Sequence, residues 1–165
     1  MSDAELTVKA EAVLSACRAA GLMLATAESC TGGMVAAALT DIAGSSDVVE
    51  RGFVTYSNTA KAELLGVPPA LIAAHGAVSA EVAAAMARGA LAHAPVGLAV
   101  SITGIAGPGG ATPGKPVGLV YFGIARQGGA CSTERHVFTG DRAAVRYAAA
   151  RRALELLHEA TRGSI

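Results

Sequence analysis

A short apolar run breaks into a polar, glycine-rich corner and resumes as small residues, and this feature most narrows the folds open to the chain. Residues 21–25 are apolar and short enough to form a buried strand. Thr26-Ala27-Glu28-Ser29-Cys30-Thr31-Gly32-Gly33 follows, and residues 34–39 then read as a helix of small side chains. A reactive side chain at such a strand-to-helix corner sits at the carboxyl edge of a sheet, where open α/β folds place their ligands. Ser29 is the candidate nucleophile. Backbone N–H groups opening the next helix are placed to stabilise a developing oxyanion, and Gly32 and Gly33 let a substrate approach the backbone. The plainer alternative is that Ser29 or Thr31 caps the helix.

The rest of the chain extends the same alternation. Residues 4–20 carry Leu6, Ala10, Val13, Leu14 and Cys17 at helical spacing, with Gly21 as the stop. A first strand over 22–27 and a second helix over 30–41 lead into a turn-rich connection at 41–47. Residues 48–57 hold a second strand, after which Ser57 or Asn58 caps a short helix over 59–65 that Gly66 ends. Pro68-Pro69 opens a helical turn to residue 74, and Ser79 caps a long Ala-rich helix to about 92. Strands are predicted at 97–102, 117–125 and 131–138, and Asp141 caps a last helix running to about 160. Helices alternating with strands, then strand–loop–strand, predict a single α/β domain: a three-layer α/β/α sandwich with a mixed sheet.

Composition narrows the function classes. The chain of 165 residues is 52% hydrophobic but only 4% aromatic, so the core is built from Ala, Val, Leu and Ile. A formal net charge of zero argues against a protein devoted to nucleic-acid phosphates. Three cysteines, Cys17, Cys30 and Cys131, form no C-x-x-C pair and suit a reducing compartment. The N-terminus, Met1-Ser2-Asp3-Ala4-Glu5, shows no secretory signal, and the apolar stretch 90–110 is interrupted by His93, Pro95 and glycines, so no membrane helix is expected there. A cytoplasmic location is the expectation.

Several other residues invite a chemical reading. Lys61 stands in the first turn of its short helix, where a cation is disfavoured. Held there and partly desolvated it would have a lowered pKa, as a general base requires; the alternative is a solvated surface lysine. Tyr56, at a strand end, is placed to relay a proton or to pack its ring. Ser29, Tyr56 and Lys61 all map to carboxyl ends of predicted strands or just after them. The long segment 103–116 contains Thr103, Gly104, Ile105, Ala106 and Gly107, whose backbone N–H groups could face a ligand; a flexible hairpin connection is the alternative. Its G-x-x-x-x-G-K, ending at Lys115, is not a P-loop, because Pro116 replaces the Ser or Thr and a strand follows. Arg142 and Arg146, one turn apart at the start of the last helix, make an anion site or simply a solvated face. His75, His93, His136 and His158 show no metal-ligand spacing, so neither a metal nor a dinucleotide cofactor is expected.

Ala27-Glu28-Ser29-Cys30-Thr31-Gly32-Gly33, Gly52-Phe53-Val54-Thr55-Tyr56-Ser57-Asn58 with Lys61, Gly76-Ala77-Val78-Ser79 and Thr103-Gly104-Ile105-Ala106-Gly107-Pro108 together resemble the CinA C-terminal domain family. The similarity runs from about Leu6 to Leu157, in its stand-alone form. The resemblance implies deamidation of nicotinamide mononucleotide to nicotinate mononucleotide and ammonia, without a metal, in pyridine nucleotide recycling. It implies Ser29 as nucleophile, Lys61 as its base and Tyr56 as the third catalytic group. Glu28, Cys30, Thr31, Gly32, Gly33 and the stretch from Thr103 to Gly107 are the expected substrate-binding walls. Assigning Arg142 and Arg146 to the substrate phosphate comes from their spacing, and a homodimer is the expected assembly. An inactive nucleotide-binding or protein-interaction module, suggested by the family's association with competence and DNA damage, is the rival reading. An amidase acting on a different small amide is a third.

Overall fold

No residue of β1 (Leu24–Glu28) is exposed, because the strand lies inside the sheet with a parallel neighbour on each side and helices over both faces. The computed structural model describes residues 3–163; Met1 and Ser2, at the start of the segment read for a secretory signal, lie outside the described residues. In chain order, α1 (Asp3–Ala20) precedes β1. It is followed by α2 (Met34–Thr40), a 3-10 turn (Ser45–Asp47), β2 (Val49–Val54), α3 (Asn58–Leu65), α4 (Pro69–His75) and α5 (Ala80–His93). Then come β3 (Leu98–Gly104), β4 (Leu119–Arg126), β5 (Cys131–Val137) and α6 (Arg142–Ala160).

The five strands lie in the order β2-β1-β3-β4-β5. The first three are parallel and the last two pairings antiparallel, so the sheet is mixed as expected. The chain leaves β1 through α2 to β2 on one side, then returns through α3, α4 and α5 to β3 on the other. That reversal makes a topological switch point at the carboxyl end of β1, the place where an open α/β sheet has a crevice. Because β4 runs antiparallel to β3, the 105–118 loop lies on this same edge. β5 runs back towards it and delivers the start of α6 there as well.

The two faces of the sheet are covered differently. Leu24, Leu98, Val100, Ile102 and Phe122 point towards α1, α2 and α6 and join Leu14, Val35, Leu154 and Leu157 in the larger core. The opposite face presents Ala25, Ala27 and Ala99 to Val82, Met86 and Ala90 of α5, with Leu65 of α3 beside them. This period-two division of each strand is what a doubly covered sheet requires. Small side chains let α5 come close: a Cβ on Gly123 would lie 2.4 Å from the Ala83 carbonyl oxygen.

Local chemistry explains most boundaries. Ser57, Ser79 and Asp141 cap α3, α5 and α6 by accepting from Ala60, Val82 and Ala144 N–H. Helix α2 begins later than its small-residue pattern predicts, at Met34 rather than near residue 30, because Gly32 and Gly33 take φ of +59° and +104°. β2 ends at Val54, leaving Thr55 and Tyr56 free of regular structure at the edge of the crevice. No helix among the described residues is long and apolar enough to cross a membrane.

Candidate active site

Ser29 occupies the first position after β1, and the sheet holds it on both sides. Its N–H donates to Ile102 O at 2.9 Å, while Thr55 N–H donates to Glu28 O at 2.9 Å. The alternative in which Ser29 or Thr31 caps α2 does not hold: the N-cap is Gly33, with no side-chain bond. The cap is supplied instead by Glu28, whose carboxyl oxygens accept Val35 N–H at 3.0 Å and Ala36 N–H at 3.1 Å, and Thr31 Oγ1 at 2.7 Å. The two glycines make the turn long enough that α2 starts beyond the reach of either hydroxyl. Ser29 Oγ is thereby left for another partner.

That partner is Lys61. Its Nζ donates to Ser29 Oγ at 3.1 Å and to Thr55 O at 2.9 Å. The lysine is only 1% exposed, which removes the surface-lysine reading. Burial holds its pKa below the ordinary 10.5. Among the described residues it forms no salt bridge. Cys30, next to the serine, is not a rival nucleophile, since burial pushes its thiol up to about 11 and keeps it protonated at neutral pH.

Ser29, Cys30 and Lys61 form the floor of a cleft of about 250 Å³ at the switch-point edge. Thr103, Gly104, Ile105, Ala106 and Gly107 form one wall, and Tyr56 and Arg142 stand at the mouth. Tyr56 is 61% exposed, so it is no core-packing residue; its hydroxyl accepts from Arg142 Nη2 at 2.8 Å. Arg142 also donates through Nη1 to Gly107 O at 2.8 Å, tying α6 to the loop. Lys115 is spent on the His75 carbonyl at 2.6 Å, consistent with rejecting a P-loop.

The remaining expected binding residues sit elsewhere. Glu28, Thr31, Gly32 and Gly33 shape the turn beneath Ser29 but do not line the cleft. Nor does Arg146, whose Nε and Nη2 donate to Cys30 O and Thr31 O at 3.0 and 3.2 Å. Its spacing from Arg142 suggests a shared ligand, yet the helix aims the two guanidinium groups at different parts of the corner. The cleft is also lined by Asn58, Ala77, Val78, Gly109 and Gly110, none of which is among the expected binding residues. Thr103 Oγ1 donates to Ala77 O at 2.9 Å, which holds that second wall in place. No group of three or more His, Cys, Asp or Glu that could hold a metal ion occurs among the described residues.

The model of the CinA C-terminal domain matches residues 6–161. The chain belongs to the CinA C-terminal domain family. It is 54% identical over 157 residues to the nicotinamide-nucleotide amidohydrolase PncC of Escherichia coli (strain K12), covering 95% of both chains. It is 55% identical over 144 residues to a CinA-like protein of Mycolicibacterium vanbaalenii, there covering 87% of this chain but 34% of the longer relative. Among solved structures, competence/damage inducible protein CihA from Agrobacterium tumefaciens superposes with a TM-score of 0.92 at 45% identity, covering 96% of each chain. A CinA-superfamily protein from Escherichia coli superposes at 0.89 and 36% identity, covering 95% of this chain and 91% of that one.

Proposed function

We propose that this CinA-family domain is a nicotinamide-nucleotide amidohydrolase that acts by acyl transfer, with Ser29 as nucleophile and Lys61 as its base. The observation carrying the reading is a buried lysine amine, its pKa lowered, 3.1 Å from a serine hydroxyl at the floor of a cleft. Full-length similarity to an amidohydrolase of that name supports the substrate class.

Neutral Lys61 accepts the proton of Ser29, and Oγ attacks the carboxamide carbon of nicotinamide mononucleotide. Thr55 O orients the neutral amine by accepting one N–H, and rotation about the Cε–Nζ bond lets the lone pair rather than the other N–H meet the Ser29 hydroxyl. The tetrahedral oxyanion is stabilised by the Cys30 and Thr31 N–H groups. Gly32 N–H is not available for this, since it donates to Ser29 O at 3.0 Å. The C–N bond breaks as Lys61 returns its proton to the leaving nitrogen, and ammonia departs. Water then attacks the acyl carbon, giving up its proton through Lys61, and the nicotinate product leaves with Ser29 restored. Tyr56, its hydroxyl held by Arg142, supplies a proton route at the mouth, and Arg142 receives the substrate phosphate.

Ammonia release from nicotinamide mononucleotide in the presence of EDTA tests the reading in the parent and in Ser29→Ala, Lys61→Ala and Tyr56→Phe. The parent is expected to turn over in EDTA, because each step uses the protein's own groups. Ser29→Ala and Lys61→Ala should each lower kcat by roughly 10⁴-fold or more without adding in the double variant. Tyr56→Phe should cost about 10²-fold, the usual worth of a positioned proton donor. Activity surviving Ser29→Ala overturns the nucleophile, and an unchanged rate in Tyr56→Phe removes the proton role. A parent inactive on this and related amides overturns the enzyme reading in favour of a binding module.

A further inference from the structure

The corner that carries Ser29 is gripped by a single guanidinium. Arg146, on the second turn of α6, donates Nε–H to Cys30 O at 3.0 Å and Nη2–H to Thr31 O at 3.2 Å. Ser29 and Cys30 line the cleft, and the Arg146 guanidinium does not. The peptide bonds here are trans, and in a trans peptide the C=O and N–H point in opposite directions. Drawing the Cys30 carbonyl towards Arg146 therefore turns the Thr31 N–H the opposite way, away from the guanidinium. Thr31 N–H has no acceptor among the described residues. The Thr31 carbonyl, held in the same way, turns the Gly32 N–H towards Ser29 O, where it donates at 3.0 Å and closes the turn. Gly32, at φ +59°, leaves space for the grip, since a Cβ there would meet Arg146 Nη2 at 3.3 Å.

We infer that Arg146 is a positioning residue that sets the peptide plane presenting the Thr31 N–H to the oxyanion. The inference rests on the acyl-transfer reading above and replaces a phosphate contact as the role of Arg146. Glu28 works from the other end of the same turn, holding the Thr31 hydroxyl and the first amides of α2. One carboxyl group and one guanidinium thus fix a five-residue corner, 29–33, that ends in two consecutive glycines. A donor that acts only on the transition state changes kcat and leaves ground-state binding alone.

The test combines steady-state hydrolysis of nicotinamide mononucleotide with ¹⁵N–¹H spectra of the parent, Arg146→Ala and Arg146→Lys, after thermal melts to establish folding. In Arg146→Ala, kcat is expected to fall by roughly 10²-fold, the scale of one lost oxyanion donor, with KM within about twofold of the parent. Arg146→Lys reaches only one carbonyl and should lie between the two. The Thr31 and Gly32 amide resonances should both move in Arg146→Ala. An unchanged kcat, or a loss confined to KM, overturns the inference. A parent inactive on the nucleotide overturns the amidase reading alone, and the inference is then decided by the Thr31 amide signal, whose failure to move sinks it. If Arg146→Ala is unfolded, the same two readouts in Arg146→Lys decide.

Discussion

At the scale of single residues, burying an amine converts an ordinary lysine into a base. In the unfolded chain Lys61 titrates near 10.5, and in the folded protein burial lowers that value. Between the two values the unfolded chain holds more protons, so Lys61's contribution to stability rises with pH across that window and is lost as pH falls through the folded value. Lys61→Met removes the titration; thermal melts over a pH series should show the variant gaining on the parent as pH is lowered through that window. In parallel, kcat/KM of the parent should climb with pH along a limb whose midpoint lies below 10.5. A limb at or above the ordinary lysine value would contradict a depressed base. Arg142 makes a separate prediction. Standing at the cleft mouth with both ends of its fork engaged by Tyr56 and Gly107, it should bind phosphate by exchanging those partners. Arg142→Ala should raise KM for the nucleotide roughly tenfold or more, the scale of a lost charge-assisted hydrogen bond. A KM that does not move would remove Arg142 from the phosphate site.

Helix α3 shows how an element, rather than a residue, sets the catalytic distance. Ser57 caps it and Gly66 ends it at φ +67°, so eight residues suffice to carry Lys61 into the core. Its far end rests on α5, where the backbone of Gly89 leaves room for Leu65: a Cβ on Gly89 would lie 2.0 Å from the Leu65 carbonyl oxygen. No flexible side chain can yield there, because the obstruction is backbone. Gly89→Ala should therefore push α3 away from α5, costing about 1–3 kcal/mol as an overpacked contact does. The same movement would lengthen the Lys61–Ser29 approach, so kcat should fall more than KM rises in a variant that remains folded. A fully stable Gly89→Ala enzyme with parental kcat would show that α3 is not held by this contact. Helix α3 was readable from the sequence, with its Ser57 cap and Gly66 stop, because both signals are local. The depth to which it buries Lys61 was not, since that depends on the glycine 28 positions along the chain at the contact with α5.

The whole molecule assembles its cleft from segments far apart in sequence. Ser29 and Lys61 are 32 residues apart, Tyr56 and Arg142 86 apart, and Arg146 and Cys30 116 apart, and each pair is hydrogen-bonded. The sheet order brings them together: β1, β2 and β3 end on one edge, and the two antiparallel strands return the 105–118 loop and the start of α6 to it. Sequence periodicity and turn chemistry by themselves determined the alternation of elements, the α/β class, the corner after β1 and the candidacy of Ser29, Tyr56 and Lys61. These are properties of residues within a few positions of one another, where side-chain period and backbone preference act. Only the tertiary structure decided that Glu28 rather than a corner hydroxyl caps α2, and that Lys61 is buried against Ser29. It likewise decided that Arg142 lines the cleft while Arg146 donates to the Cys30 and Thr31 carbonyls. Two arginines one helical turn apart look alike in a local pattern, and their separate tasks follow from which backbone the fold lays against each, at separations no local preference can reach.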